Sequence, residues 1–357
     1  MARLYSAGVP EAARVQANVE RELVEGVDLC LPDGRLNPDA KGWSRRPLHR
    51  ANLHVPWGRA KRWDYWAILA GDVVVSSVYA DVDYIGLADV WWVDLSTQKT
   101  GGRGIVAPLA RGIDLPERPG TAPLRVRRRN FELRVTDDAN GTTRITARWR
   151  ERDGSPGSLD ATVDLPAGHE SVNVVIPWDD RRFQYTSKHQ ARPARGTLTV
   201  GDKTRSLDDG WGVLDVGRGR WPYSTRWNWG GGAGHVDTSA GQSVVGLQIG
   251  GKWTAGTGFT ENGVIVDGVV TKLGDELTWE YDWSQPLRSW RVEDPGGRLR
   301  IELTPRYDKH TRVPLGVMST ETHQVFGTWS GTVVDHHGRE LRLHDLQGFA
   351  EESRSRW

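Results

Sequence analysis

Val244 to Gly268 reads "VVGLQIGGKWTAGTGFTENGVIVDG", and inside it Gly246 to Trp253 is "GLQIGGKW". A phosphate-binding loop reads G-x-x-x-x-G-K-[ST] and works because a strand runs through it into a helix, whose N-terminus and backbone N–H groups hold the phosphates. Here Trp253 stands where the magnesium-binding hydroxyl belongs. The residues that follow are rich in glycine and threonine, and no helical period opens among them. The stretch therefore reads as strand, turn and strand, with its glycines as kinks that let a sheet curl. No nucleotide cofactor is expected.

The same period of two runs through the chain. In "RNFELRVTDDANGTTRITARWR" (Arg129–Arg150), Phe131, Leu133 and Val135 share one face, Asn140-Gly141 supplies turn chemistry, and Ile145, Ala147 and Trp149 resume the apolar face. "SVNVVIPW" is a further strand. "GTLTVGDKTRSL" turns at Gly201-Asp202, "GVIVDGVVTKL" at Asp267-Gly268, and "SWRVEDPGGRLRIELTP" through Pro295-Gly296-Gly297. "ELTWEYDW" and "HQVFGTWSGTVVDHHGRELRLHDL" alternate in the same way, the latter turning near Gly338. Short strands joined by glycine-rich turns predict sandwiches or barrels, not βαβ units. Val15, Val19 and Leu23 recur every four residues and predict one short N-terminal helix; the tail "LQGFAEESRSRW" is read as a second helix.

The 357 residues suffice for two domains. Lys+Arg is 47 and Asp+Glu is 46, a near cancellation that gives no electrostatic ground for nucleic acid or an anionic membrane as partner. Cys30 is the lone cysteine, so an internal disulfide and a Cys-based zinc site are excluded. No stretch has signal-peptide or membrane-spanning length and apolarity, so no stable membrane insertion and a cytoplasmic location are expected. The 18 Trp, against 8 Tyr and 5 Phe, point to very large core positions or a lined cavity.

"KRWDYW" (Lys61–Trp66) and "TRWNWG" (Thr225–Gly230) share an Arg-Trp-x-aromatic pattern, each before a long block of alternating strands. This suggests two similar barrels in tandem: an N-terminal segment 1–40, a first barrel 41–195 and a second barrel with the C-terminal tail 196–357.

Six blocks carry a resemblance: "LNPDAKGWSRRPLHR", "GRAKRWDYWAIL", "FQYTSKHQARPARGTLTVG", "GRGRWPYSTRWNWG", "GGKWTAGTGFTENG" and "GFAEESRSRW". They resemble the family catalogued as domain of unknown function 2804. That pattern is more distantly similar to tandem lipocalin-like proteins such as carotenoid 1,2-hydratase (hydroxyneurosporene synthase) and tocopherol cyclase. The resemblance implies an all-β protein of two tandem lipocalin-like antiparallel barrels with an apolar ligand cavity. It carries no catalytic residue across, because fold does not fix function.

Three clusters supply candidate site residues. In the first, Lys252, Trp253, Glu261 and Asn262 surround "GTGFTENG". Glu261 lies two residues from Phe259; on an unbroken strand both share a face, and a carboxyl in an apolar wall gains a raised pKa and serves as a general acid. The competing reading pairs it structurally with Lys252 or an arginine. In the second, Tyr185 and His189 alternate with Lys188, and a His or Lys facing a cavity exchanges protons; a polar strand edge is the alternative. In the third, Trp227 and Trp229 lie on one face and Asn228 on the other, giving indole faces for a polyene, a sugar or a developing cation, or else core packing.

Metal ligation is not expected. His336 and His337 point to opposite faces of a strand, His323-Gln324 offers no pair, and HExxH is absent. The expected function is a cofactor-independent hydratase, cyclase or isomerase. It would act by acid–base chemistry on an apolar, isoprenoid-like or polyketide-like molecule in a Trp-lined barrel cavity. A lipid carrier and a carbohydrate-binding protein are the alternatives.

Overall fold

The computed structural model of the protein describes residues 20–238, 241–315 and 318–356. These residues build two large curled antiparallel sheets, tandem barrels, beside a small parallel pair of Val27–Asp28 with His49–Arg50. In the first sheet the strand order is Lys99–Pro108, Ile85–Asp94, Val73–Asp81, Lys61–Ala70, Gly210–Arg220, Phe183–Val200, Pro156–Val163, Thr143–Arg150, Phe131–Asp137 and Leu124–Arg128. The second runs Val269–Leu273, Asn262–Val266, Gly241–Gly251, Ser224–Thr238, Glu340–Arg356, Met318–Val334, Leu299–Leu315, Trp290–Glu293 and Thr278–Glu280.

The turn chemistry works as its residues dictate. Asp267 and Gly268 both have positive φ, 49° and 86°, and close a two-residue hairpin whose flanking Val266 and Val269 pair directly. Gly141 at φ 80° turns the Asn140-Gly141 hairpin, and the register sets Phe131 opposite Trp149 and Leu133 opposite Ala147. Each sheet buries one apolar face. Trp66, Val75, Trp92, Phe131, Ile145 and Leu198 fill the first barrel. Leu247, Val264, Trp290, Leu303, Val325 and Trp329 fill the second. Both lumens are packed cores.

Two helical expectations differ from the structure. Val15 and Val19 lie outside the described residues, but Arg21 to Leu23 run extended beside Trp43, the Leu23 amide donating to the Trp43 carbonyl at 2.7 Å. The C-terminal residues form the strand Glu340–Arg356, seated between Ser224–Thr238 and Met318–Val334. Their periodicity is two-sided because both faces are covered, and a doubly buried strand has no alternation to read. The sequence divide at residue 195 falls inside the strand Phe183–Val200, and Gly210–Arg220 belongs to the first sheet; by sheet membership the chain crosses over between Arg220 and Ser224. Among the described residues no helix is long and apolar enough to cross a membrane.

The abundance of Trp and of Gly is one fact. Trp63 pairs across strands with Gly217, Trp149 with Gly157, and Trp92 with Gly101. A Cβ at Gly157 would sit 2.1 Å from the Trp149 ring, and one at Gly217 would sit 2.1 Å from Trp63. Each indole lies flat over the neighbouring strand only because that strand has no side chain there. Gly157→Ala should therefore lower stability by about 1–3 kcal/mol, the usual cost of overpacking. An unchanged urea midpoint would show that Trp149 does not rest on Gly157.

Candidate active site between the barrels

The Trp-lined cavity, about 340 Å³, lies at the junction of the two sheets and not inside a lumen. Strand alternation explains its location. On Lys61–Ala70, Trp66 and Ile68 fill the first barrel while Trp63 and Tyr65 face the other way, toward the second. On Met318–Val334, Val325 and Trp329 fill the second barrel while Thr322 and Gln324 face the first.

Two rows of residues meet there, one from each sheet. In the first barrel Lys188, Asp215, Tyr65, Val78 and Asp89 are successive cross-strand neighbours over five strands. In the second, Gly250, Trp229, Glu351, Gln324 and Lys309 form the corresponding row. The repeated Arg-Trp-x-aromatic motif supplies matching positions: Trp63 and Tyr65 on one side, Trp227 and Trp229 on the other. Tyr65 and Trp229 touch edge to face at 5.5 Å.

The indole N–H groups point into the wall. Trp63 donates to Asp215 at 3.2 Å, Trp221 to Gln184 at 2.6 Å, and Trp227 to Glu351 at 2.8 Å. Trp229 donates to Gln248 at 3.2 Å and Trp253 to Glu261 at 2.7 Å. A buried N–H needs a partner, and satisfying it outward leaves the rings for a ligand. Trp221 stacks on Trp253 with centroids 5.2 Å apart.

Lys188 is the electrostatic hub. Its Nζ is 2.8 Å from Asp215 Oδ1 and 3.2 Å from Glu261 Oε2, and it lies 4.5 Å from the centroid of the Trp229 ring. Burial alone would lower the ammonium's pKa, but Asp215 and Glu261 outweigh it and hold Lys188 above the ordinary lysine value. Burial raises Glu261, opposed by Lys188. Glu351 is different. Burial pushes it up to about 7; the Trp227 hydrogen bond and the more distant charges of Lys188 and Lys309 only partly counter this. At the far end, burial raises Asp89 and lowers Lys309, which stands 4.3 Å over the Trp91 ring.

Of the residues singled out in the sequence, the structure brings Glu261, Lys188, Trp227, Trp229 and Trp253 to this cavity. It does not bring the others. Tyr185 and His189 alternate to the opposite face of their strand. Tyr185 is fully buried against His49, at 4.7 Å between rings, and His189 Nε2 is 2.9 Å from Ser187 Oγ. Burial takes His189 well below the ordinary histidine value. Asn228 hydrogen-bonds Tyr281 and the Glu351 carbonyl, and Asn262 accepts from the Gly250 amide at 2.6 Å. Lys252 pairs with Glu352 at 3.1 Å, so the cation beside Glu261 is Lys188 and not Lys252. Glu261 faces the junction, where a Cβ on Gly250 would meet its Oε1 at 2.1 Å.

Sequence reasoning missed Glu351, Asp215, Asp89 and Lys309. A signal existed for two of them. Asp215 interrupts the otherwise apolar or small run "GVLDVG", and Glu351 follows the apolar or small run "GFA" beside Glu352; an acid inside a doubly buried strand is a site signal.

The chain belongs to the family described as domain of unknown function (DUF2804), whose model matches residues 20–357. No curated protein sequence matches it. Among solved structures, kievitone hydratase from Nectria haematococca is similar at 12% identity and TM-score 0.48, over 84% of this chain and 89% of that one. CghA with Sch210972 is similar at 11% identity and TM-score 0.40, over 84% of this chain and 89% of that one.

Removing the hub has a signed pH dependence. Lys188→Met leaves Asp215 and Glu261 buried without their cation, which should cost about 3–5 kcal/mol at neutral pH. The deficit should shrink as pH falls, because Glu261, which burial raises and Lys188 no longer opposes, then takes up a proton. Urea unfolding at pH 8 and pH 5 checks this; a deficit that grows toward acid would be inconsistent with the pairing.

Proposed function

We propose that the protein is a cofactor-independent enzyme of hydratase, cyclase or isomerase type, acting on an apolar small molecule held between the barrels. One observation carries the reading: Glu351, a carboxyl that keeps its proton up to about pH 7, faces a Trp-walled cavity beside a fixed Asp215–Lys188–Glu261 cluster. Two carboxyls in different electrostatic settings divide acid and base roles. Glu351 is the donor, since no ammonium touches it; at Glu261 the touching Lys188 opposes the effect of burial.

In the proposed step Glu351 delivers its proton to an alkene or epoxide. The Glu351 O–H bond breaks as a C–H bond forms at the expense of the alkene π bond, or as an O–H bond forms while an epoxide C–O bond opens, and positive charge develops on the substrate carbon. The faces of Trp227, Trp229 and Trp253, with the carboxylates behind them, lower the energy of that charge. Loss of a proton from the cation to a cavity carboxylate completes an isomerisation or cyclisation; addition of water and loss of its proton completes a hydration. No electrons are gained or lost overall. An isoprenoid-like or polyketide-like skeleton suits a cavity of about 340 Å³ walled by indoles.

The test begins with native mass spectrometry of protein purified from its own host, which identifies a co-purified molecule. Wild type should convert that molecule or its precursor. Glu351→Gln keeps the acceptor for the Trp227 N–H, so it should fold, bind and lose about 10²- to 10⁴-fold in turnover. Wild-type turnover should fall as pH rises through 7, where the donor loses its proton. A ligand returned chemically unchanged by the wild type, with binding equal in Glu351→Gln, would make the protein a carrier instead.

A further inference from the structure

On the face of the Leu299–Leu315 and Met318–Val334 strands opposite the cavity lies a second cluster that the proposed reaction does not use. Asp308 and His310 are two apart on one strand; Glu321 and His323 are two apart on its neighbour. His310 and His323 are direct cross-strand partners. Period two puts all four side chains on one face. We propose that His310, Glu321 and His323 form a binding site for a divalent transition-metal ion, with zinc as the best match to an imidazole and carboxylate set.

Geometry supports this in three ways. One ligand atom from each of His310, Glu321 and His323 lies within 4.8 Å of the other two. His310 Nε2 and Glu321 Oε1 are already 3.1 Å apart. Two ligands bonded tetrahedrally to zinc at about 2.0–2.1 Å stand roughly 3.3 Å apart, so that edge is nearly preset. The His310 and His323 rings lie stacked, 4.2 Å apart and 2° from parallel, so one imidazole must turn about its side-chain bonds to bring both nitrogens onto one ion. Finally, His323 Nδ1 is 2.8 Å from Asp308 Oδ2. A carboxylate bonded to one imidazole nitrogen fixes the tautomer and aims the other nitrogen at the metal, the usual outer support of a zinc histidine.

The surroundings also fit a staple. Trp283 stands edge-on to His323 at 4.5 Å, and Arg354 lies 3.8 Å over Trp283 while bonding Glu352 at 2.9 Å. The cluster is open enough for a water to complete the coordination, His310 being exposed. On the same two strands Lys309, Thr311, Thr322 and Gln324 point the other way and line the cavity. A metal here ties the two strands together directly behind one wall of the site. The ligands and their supporting Asp308 come as D-x-H and E-x-H on separate strands, which no linear zinc motif describes.

Chelator-stripped full-length protein titrated with ZnCl₂ by calorimetry should show one saturable site at 1:1. His310→Ala with His323→Ala should abolish it, Asp308→Asn should weaken it about 10- to 100-fold, and His337→Ala should leave it intact. Co²⁺ added to the unmodified protein should give visible d–d absorption distinct from hydrated cobalt, a readout independent of whether the double variant folds. No saturable zinc binding, a cobalt spectrum identical to the free ion, or zinc binding unaffected by the double substitution would each overturn the assignment.

Discussion

The ammonium of Lys188 is the point on which the junction depends. It rises from a strand of the first sheet, pairs with Asp215 on the next strand, reaches Glu261 at the start of a second-sheet strand, and rests on Trp229 of the second sheet. A buried charge is tolerable only when it is paired and hydrogen-bonded. Lys188 therefore requires both barrels to be docked in one arrangement. The same contact decides the electrostatics of the cavity, because Lys188 opposes the burial that raises Glu261 and reaches Glu351 only from a distance.

Docking two filled barrels leaves the cavity between them, and tryptophan makes this arrangement workable. An indole supplies a large apolar face and a single N–H. Five such N–H groups are satisfied by side chains in the wall, three of them carboxylates. The hydrogen bonds anchor the carboxylates and the rings together, so acidity and apolar surface are built from the same residues. Glycine is the necessary complement. Trp63 lies over Gly217, and Glu261 lies over Gly250, positions where a methyl group would occupy the space of the ring or the carboxyl.

The tandem arrangement also explains how the two halves divide their roles. Equivalent rows face each other across the junction, with a lysine at opposite ends. Lys188 is locked between two carboxylates, whereas Lys309 has its ammonium over Trp91 and burial lowers its pKa. The repeat thus supplies matched scaffolds, and the differences between them set the electrostatics of the cavity.

Much of the fold was legible in the sequence because it rests on local physics. Period-two runs, Asn140-Gly141, Asp267-Gly268 and Gly338 specify hairpins through backbone preferences that act over a few residues. The repeated Arg-Trp-x-aromatic motif and the surplus of tryptophan announced two related units and a lined cavity. Glu261, Trp227, Trp229 and Trp253 were visible as polar or aromatic residues near glycines, and Lys188 as a cation on an alternating polar strand. What local pattern could not decide was which face of a strand looks toward the junction, because both faces are covered: on the strand Phe183–Val200 one end packs Tyr185 against the N-terminal segment while Lys188 faces the second sheet. That is why Tyr185 and His189 were indistinguishable from Lys188 until the sheets were docked. It is also why the segment Leu346–Ser355 of the last strand, covered on both faces, hid Glu351 in what read as a helical tail. The partners of a charge lie 27 and 73 residues away, as Asp215 and Glu261 do from Lys188. Only the tertiary structure brings them within 3.2 Å, and burial then does what no spacing encodes: it raises the pKa of the Glu351 carboxyl to about 7.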